Sequence, residues 1–182
     1  METMNTRTTI LRAAEAVIRR DGVRAMTLES VAAEAGVSKG GLLYHFPSKR
    51  DLISAMAAGR IDEVASAVRA CYREDPSRGV TGAYVASIDT APLTELDLTL
   101  LAVVDEDPEL LAPYREGLDR MHRSMTDEAG DPALATIVRL AADGLFFAEL
   151  LGFGALDQDA RSAVVARLGR LADEAVGFEG DA

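Results

Sequence analysis

Apolar positions recur every three or four residues along almost the whole chain, and no stretch alternates with a period of two. That pattern predicts helices and no strands. The first helix runs from Thr6 to Arg20: Ile10, Ala14, Val17 and Ile18 share a face, Arg12 and Arg19 lie off it, and Asp21-Gly22 stops it. Leu28, Val31 and Ala32, at i, i+3 and i+4, mark a second, short helix. Thr27 opens it as a hydroxyl N-cap, with Ser30 at the position where a full capping box would carry Glu or Gln. Gly36 ends it, because glycine tolerates the left-handed conformation such a stop needs. Val37 fills the angle that follows, and Ser38 caps a third helix carrying Lys39, Gly40, Gly41, Leu42, Leu43 and Tyr44. Two helices joined steeply by a glycine turn predict a helix-turn-helix, whose second helix can enter the major groove of DNA.

Pro47 closes this region and Ser48 caps the next helix, with Lys49 and Arg50 in its first turn. Basic side chains there oppose the helix dipole, so phosphate contact is a better reason for them than helix stability. From Ser48 to about Glu74, Leu52, Met56, Ile61, Val64, Val68 and Cys71 sustain one long helix, which Asp75-Pro76-Ser77-Arg78-Gly79 breaks. Further helices are expected over 80–90, 93–105, 109–129, 132–151 and 158–176, cut by Pro92, Pro108, Pro113, Pro132 and Gly152-Phe153-Gly154. The last two are dense in apolar residues. Leu134, Ile137, Val138, Leu140, Leu145, Phe146, Leu150 and Leu151 almost encircle one, and Val164, Val165, Leu168, Leu171 and Val176 stripe the other. A helix that is apolar all round must be buried on several sides, and in a chain this small a partner subunit supplies the second side.

Composition changes the picture mainly through charge. With 182 residues, 48% hydrophobic and 27% charged, the chain can bury a core in one or two small domains. The net charge of −11 argues at first against a nucleic-acid partner. Residues 1–50, however, hold eight Lys and Arg against five acids, a net of +3, while the remainder holds eleven against twenty-five, a net of −14. A basic head on an acidic body keeps any DNA contact at one end. The single cysteine, Cys71, forms no internal disulfide or cysteine metal cluster, as suits a reducing cytosol. No secretory leader pattern opens the chain and no run approaches the ~18 apolar residues of a membrane span, so a cytoplasmic protein is expected, off the membrane.

Gly36-Val37-Ser38-Lys39-Gly40 followed by Leu43-Tyr44-His45-Phe46-Pro47-Ser48-Lys49 resembles the DNA-binding domain of the tetracycline-repressor (TetR) family of one-component regulators, over roughly Thr6 to Ile53. The resemblance implies an all-α fold of about nine helices: a three-helix DNA-binding domain over 1–50, then a ligand-binding and dimerisation domain over 51–182. It implies a homodimer joined through the last two helices, and a first helix that packs across the helix-turn-helix with its N-terminus toward phosphate. The implied partners are a double-stranded palindromic operator and a small effector, with no cofactor. Tyr44 and His45 occupy the family's positions for phosphate contact, and Thr27 caps toward phosphate too. From the residues themselves, Lys39 can reach a guanine edge or a phosphate, Leu42 a thymine methyl, and Gly40 and Gly41 let the backbone sit near the groove floor. With Ser38 and Lys49 these complete the candidate DNA-contact set. Phe46 reads as core. Few of these side chains can make bidentate base contacts, so shape and backbone readout carry much of the specificity.

Leu140-Ala141-Ala142-Asp143-Gly144-Leu145-Phe146-Phe147 resembles the equivalent stretch in the family's multidrug-sensing branch. An acid in such an apolar helix needs a partner. Asp143 can meet a cationic lipophilic effector with Phe146 or Phe147 offering a ring face, or it can pair internally with Arg139 at i−4. Met121 and Met125 can line a pliable pocket or form a core stripe. Tyr84, Leu100, Val104 and Leu118 lie on helices that line the pocket in relatives. His122 beside Asp119 supplies two ligands of uncertain facing, which make no metal site. His45 and His122 are the only histidines, and no phosphate loop or nucleophile elbow accompanies them, so no enzyme is expected. The leading expectation is a ligand-responsive repressor. An architectural DNA-binding protein without an effector, and an activator, remain the alternatives.

Overall fold

A computed structural model of the chain describes residues 5–91, 94, 96–97, 99–100, 108–154 and 156–177. Eight α-helices stand among them: α1 (Thr6–Asp21), α2 (Leu28–Ala35), α3 (Lys39–His45), α4 (Lys49–Glu74), α5 (Gly79–Ser87), α6 (Ala112–Glu128), α7 (Pro132–Leu151) and α8 (Gln158–Val176). Short 3-10 turns occur at Pro76–Arg78 and Pro108–Leu111, and no strand occurs among the described residues. The ranges expected over 132–151 and 158–176 match α7 and α8. The helix expected over 109–129 begins instead as the 3-10 turn, and Pro113 sits in the first turn of α6, where its missing N–H costs nothing. Of the helix expected over 93–105, Leu96, Asp97, Thr99 and Leu100 are helical, and most of the remainder lies outside the described residues.

Two compact units emerge, one of residues 1–60 with 94–115, the other of residues 61–93 with 116–182. The first unit thus runs past residue 50 into α4 and also takes in residues 94–115. The reason is packing: Leu52, Ile53 and Met56 of α4 are buried in the same core as Ile10, Ala14 and Val17 of α1 and Val31 of α2.

In the first unit, that core also takes Leu42 of α3 and Phe46, each worth roughly 1.5–3 kcal/mol when fully buried. The Arg7 guanidinium lies over the Phe46 ring, 5.2 Å from its centroid. Gly36 takes the left-handed conformation at φ +65°, and its N–H returns to the end of α2, as the glycine stop requires. The capping box, by contrast, is complete. Thr27 Oγ1 accepts from the Ser30 N–H at 3.0 Å, and Ser30 Oγ accepts from the Thr27 N–H at 3.1 Å. Serine at this position performs the return bond expected of Glu or Gln. Deeper in the unit, Arg60 and Asp97 form an ion pair at 2.8 Å with side chains only 3% and 4% exposed. Asp97 also accepts from the Thr94 N–H at 2.8 Å and hydroxyl at 3.0 Å.

In the second unit, α5, α7 and α8 meet through Val85, Val138, Ala142, Leu168 and Ala172. A neighbouring cluster joins Val68 and Cys71 of α4 to Ala83 of α5, with Met121 of α6 against it. α6 approaches α4 so closely that a Cβ on Gly117 would lie 2.3 Å from Ile61 Cγ1. Arg161 of α8 reaches Glu149 of α7 and Asp89, both at 2.6 Å.

Two stability outcomes follow. Replacing Arg60 by Met strands a buried carboxylate, so urea unfolding should show a loss of about 3 kcal/mol, with Arg60→Lys recovering only part. Replacing Ser30 by Ala removes the return bond while leaving Thr27 in place, and should cost about 1 kcal/mol in the same measurement.

Candidate functional site

The DNA-facing candidates gather on α3 and the two turns around it. α3 has seven residues, too few to be stable alone, and it holds its place by burying Leu42 beneath it. That corrects one expectation: Leu42 is wholly buried in the core and offers nothing to a thymine methyl. Burying Leu42 turns the opposite face outward. Tyr44 is 86% exposed, Lys39 and Gly40 are exposed, and His45 is half-buried with its ring edge-on to Tyr44 at 5.1 Å. Phe46 is core, as read.

Several of these groups already carry local duties. Ser38 Oγ accepts from the Gly41 N–H at 3.0 Å, so this hydroxyl is the α3 cap. A Cβ on Gly41 would sit 3.2 Å from Ser38 Oγ, whereas one on Gly40 would meet open space. The turn itself thus accounts for Gly41, and only Gly40 leaves the outer surface bare. Lys49 donates to the Val23 carbonyl at 2.7 Å, tying the start of α4 to the loop before α2. Ser48 Oγ accepts from the Asp51 N–H at 3.1 Å, so Ser48 caps α4 as expected. Lys39 pairs with Glu29 of α2. Direct hydrogen bonding from Lys39 holds the Glu29 carboxyl below its usual range. A depressed carboxyl favours the pair above its unfolded value and loses it as pH falls through the folded one. Acid therefore frees Lys39.

The small-molecule candidates scatter. Asp143 does not stand free: it pairs with Arg139 and accepts from the Tyr84 hydroxyl at 2.6 Å. Tyr84 is thus a structural donor to Asp143. Phe146 and Phe147 meet edge-to-face at 5.4 Å, Phe146 half-buried and Phe147 exposed. Met125 is buried in packing and Leu118 is half-buried, while Leu100 sits in the first unit against Ala57 and Leu111. Val104 lies outside the described residues. No group of three or more His, Cys, Asp or Glu side chains able to hold a metal occurs among the described residues.

Of that set, Met121 alone lines a cleft of about 530 Å³ between the second half of α4 and α6. Ile61, Val68, Tyr72 and Val80 join it on the apolar side, and Arg69, Arg73, Arg120 and Asp62 on the polar side. The volume suits a small-molecule site. Sequence reasoning missed these arginines. The signal was present: Asp62, Arg69 and Arg73 fall on the same face of α4 as Ala65, Val68 and Tyr72. A second cleft, of about 570 Å³, is bordered by Asp75, Asp89 and Asp173. Asp75 is already held by Arg78, and Asp89 by Arg161. No helix among the described residues is long and apolar enough to cross a membrane.

Known proteins agree with this architecture. Residues 10–56 match the model of the bacterial regulatory proteins of the tetR family, and residues 78–173 match that of the tetracyclin repressor-like C-terminal domain. The HTH-type transcriptional repressor BepR of Brucella suis biovar 1 (strain 1330) is 26% identical over 129 residues, covering 69% of this chain. The match spans 62% of BepR, less than two thirds of its length. Multidrug binding protein EbrR, solved with imidazole, superposes with a TM-score of 0.66 at 25% identity, over 89% of this chain and 88% of that one. A TetR-family member from Streptomyces coelicolor A3 does so with a TM-score of 0.67 at 26% identity, over 90% and 98%. On two family models that together span both halves of the fold, the chain belongs to the TetR family of transcriptional regulators, which are non-enzymatic DNA-binding proteins.

Proposed function

We propose that the protein is a dimeric repressor that binds a palindromic operator in the cytoplasm and leaves it when a small effector binds. The observation that carries this reading is the display on α3: an 86% exposed Tyr44, beside exposed Lys39 and side-chain-free Gly40, on a helix held from behind by Leu42. Phosphate contact through Tyr44, His45 and the Thr27 entrance to α2 would set the register. Lys39, once it lets go of Glu29, would add a base or phosphate contact. Lys49 fits a double role, holding the loop before α2 and presenting charge near the phosphates.

The dimer reading rests on α7. Ile137, Leu140, Phe147 and Leu151 are exposed large apolar residues spaced by three, seven and four, and Gly144 completes the stripe at the missing step. Val164 of α8 is exposed as well. A stripe of this regularity in water calls for a second copy, packed as helices pack in bundles. Two heads would then reach successive major grooves about 34–36 Å apart. An effector that binds better to a conformation with the heads spaced wrongly weakens DNA binding, and DNA weakens the effector by the same factor. α4 runs unbroken from the first unit into the second and is one of the covalent routes between them. An activator would use the same parts with a differently placed operator.

Fluorescence anisotropy on DNA from just upstream of the gene tests the reading at two salt concentrations, against a scrambled fragment. Tight, sequence-preferring binding is expected. Tyr44→Ala should weaken it about tenfold on any sequence without moving the melting temperature, since its side chain is almost wholly in solvent. Unchanged affinity would remove Tyr44 from the interface. Glu29→Gln should tighten binding severalfold by releasing Lys39, and equal affinity would show that Lys39 does not reach DNA. For the dimer, Leu140→Glu with Phe147→Glu should give a folded monomer by analytical ultracentrifugation, with operator affinity lost. A dimer that survives both charges places the interface elsewhere.

A further inference from the structure

We infer that the cleft between α4 and α6 takes an amphipathic organic anion, its oxyanion head held by Arg69, Arg73 and Arg120 and its apolar body laid on Val68, Tyr72 and Met121. This rests on the effector-responsive reading above and names the chemistry of the effector.

Charge is the first argument. Residues 51–182 carry a net of −14, yet three arginines and a single carboxylate, Asp62, line this cleft. Distant acids matter little there, because exposed charges are screened beyond about 8–10 Å at ordinary ionic strength. What a ligand meets is the local surplus of two positive charges.

The second argument is that these arginines are uncommitted. Elsewhere in the chain Arg60, Arg78, Arg115, Arg139 and Arg161 each touch a carboxylate. Arg69, Arg73 and Arg120 make no ion pair among the described residues. Arg69 and Arg73 are also four apart on one helix, where like charges repel and destabilise it slightly. An anion between them turns that repulsion into bidentate attraction, which guanidinium groups suit.

Shape supplies the third. The apolar side of the cleft lies against buried Ile61 and Val68 with half-buried Tyr72 and Met121, while the arginines are exposed at its edge. A head-and-tail molecule matches that division. Asp143, the acid that the sequence suited to a cation, is held by Arg139 and Tyr84.

Three probes with ten-carbon chains test this by calorimetry on the full chain, below their micelle-forming concentrations: decanoate, decyltrimethylammonium and decanol. Decanoate should bind at least tenfold tighter than the other two. Arg69→Ala with Arg120→Ala should weaken it about tenfold or more, while Arg123→Ala, which removes the same charge from α6 as Arg120→Ala does but outside the cleft, should leave it unchanged. Ala65→Trp, which fills the cleft and spares every arginine, should also abolish binding in a protein whose melting curve stays cooperative. Decanoate binding that survives the double arginine change, a cation that binds as well, or no binding by any probe overturns the proposal. Operator anisotropy separates it from the reading beneath it. Decanoate that occupies the cleft but leaves the DNA complex intact supports the anion site and removes its role as effector. Release by decyltrimethylammonium alone supports an effector-responsive regulator and overturns the anionic cleft.

Discussion

A seven-residue helix cannot hold itself together in water, and the outward face of this protein depends on how that problem is solved. Nucleating a helix fixes several dihedrals for one hydrogen bond, so α3 exists only because neighbouring elements hold it. Ser38 supplies its first hydrogen bond, Leu42 sinks wholly into the core, and Phe46 stops it under the Arg7 guanidinium. Leu42 and Phe46 both lie on the inner face. What remains outward is Lys39, Gly40 and Tyr44, free of structural work except for the pairing of Lys39 with Glu29.

The helical plan was legible because its signals are local. Apolar spacing, the Thr27 cap and the glycine stops at Gly22, Gly36 and Gly152 placed α1, α2, α7 and α8 within a residue or two. The division into units was less legible. Sequence patterns mark where α4 begins, but only packing reveals that its first half belongs to the core of α1–α3, where Leu52 and Met56 are buried. The same limit explains Leu42. Its place on α3 suggested an outward contact, and its apolar side chain was in fact the anchor.

Among the small-molecule candidates, the sequence drew attention to residues that stand out chemically, and these proved to be committed. Asp143 attracts notice as an acid among apolar neighbours, yet it needs Arg139 and Tyr84 for that very reason. Tyr84 is 59 residues away along the chain, a pairing no local pattern can disclose. Arg69, Arg73 and Arg120 were passed over because an arginine on an exposed helix face is ordinary in sequence. It becomes notable only when three from two helices border one cleft, which is a property of the packing of α6 on α4 at Gly117 and Ile61.

The capping box of α2 separates two quantities that this motif usually joins. In its common form, the third position carries a glutamate, so a secure helix entrance comes with a fixed negative charge. Here Ser30 closes the box and adds none. The helix start keeps its hydrogen bonds through Ser30, while the first-turn charge comes from a different residue, Glu29, which pairs with Lys39. Mechanical security and surface potential can therefore drift independently in descendants of this chain, since changing the charge near Thr27 need not loosen the helix it opens.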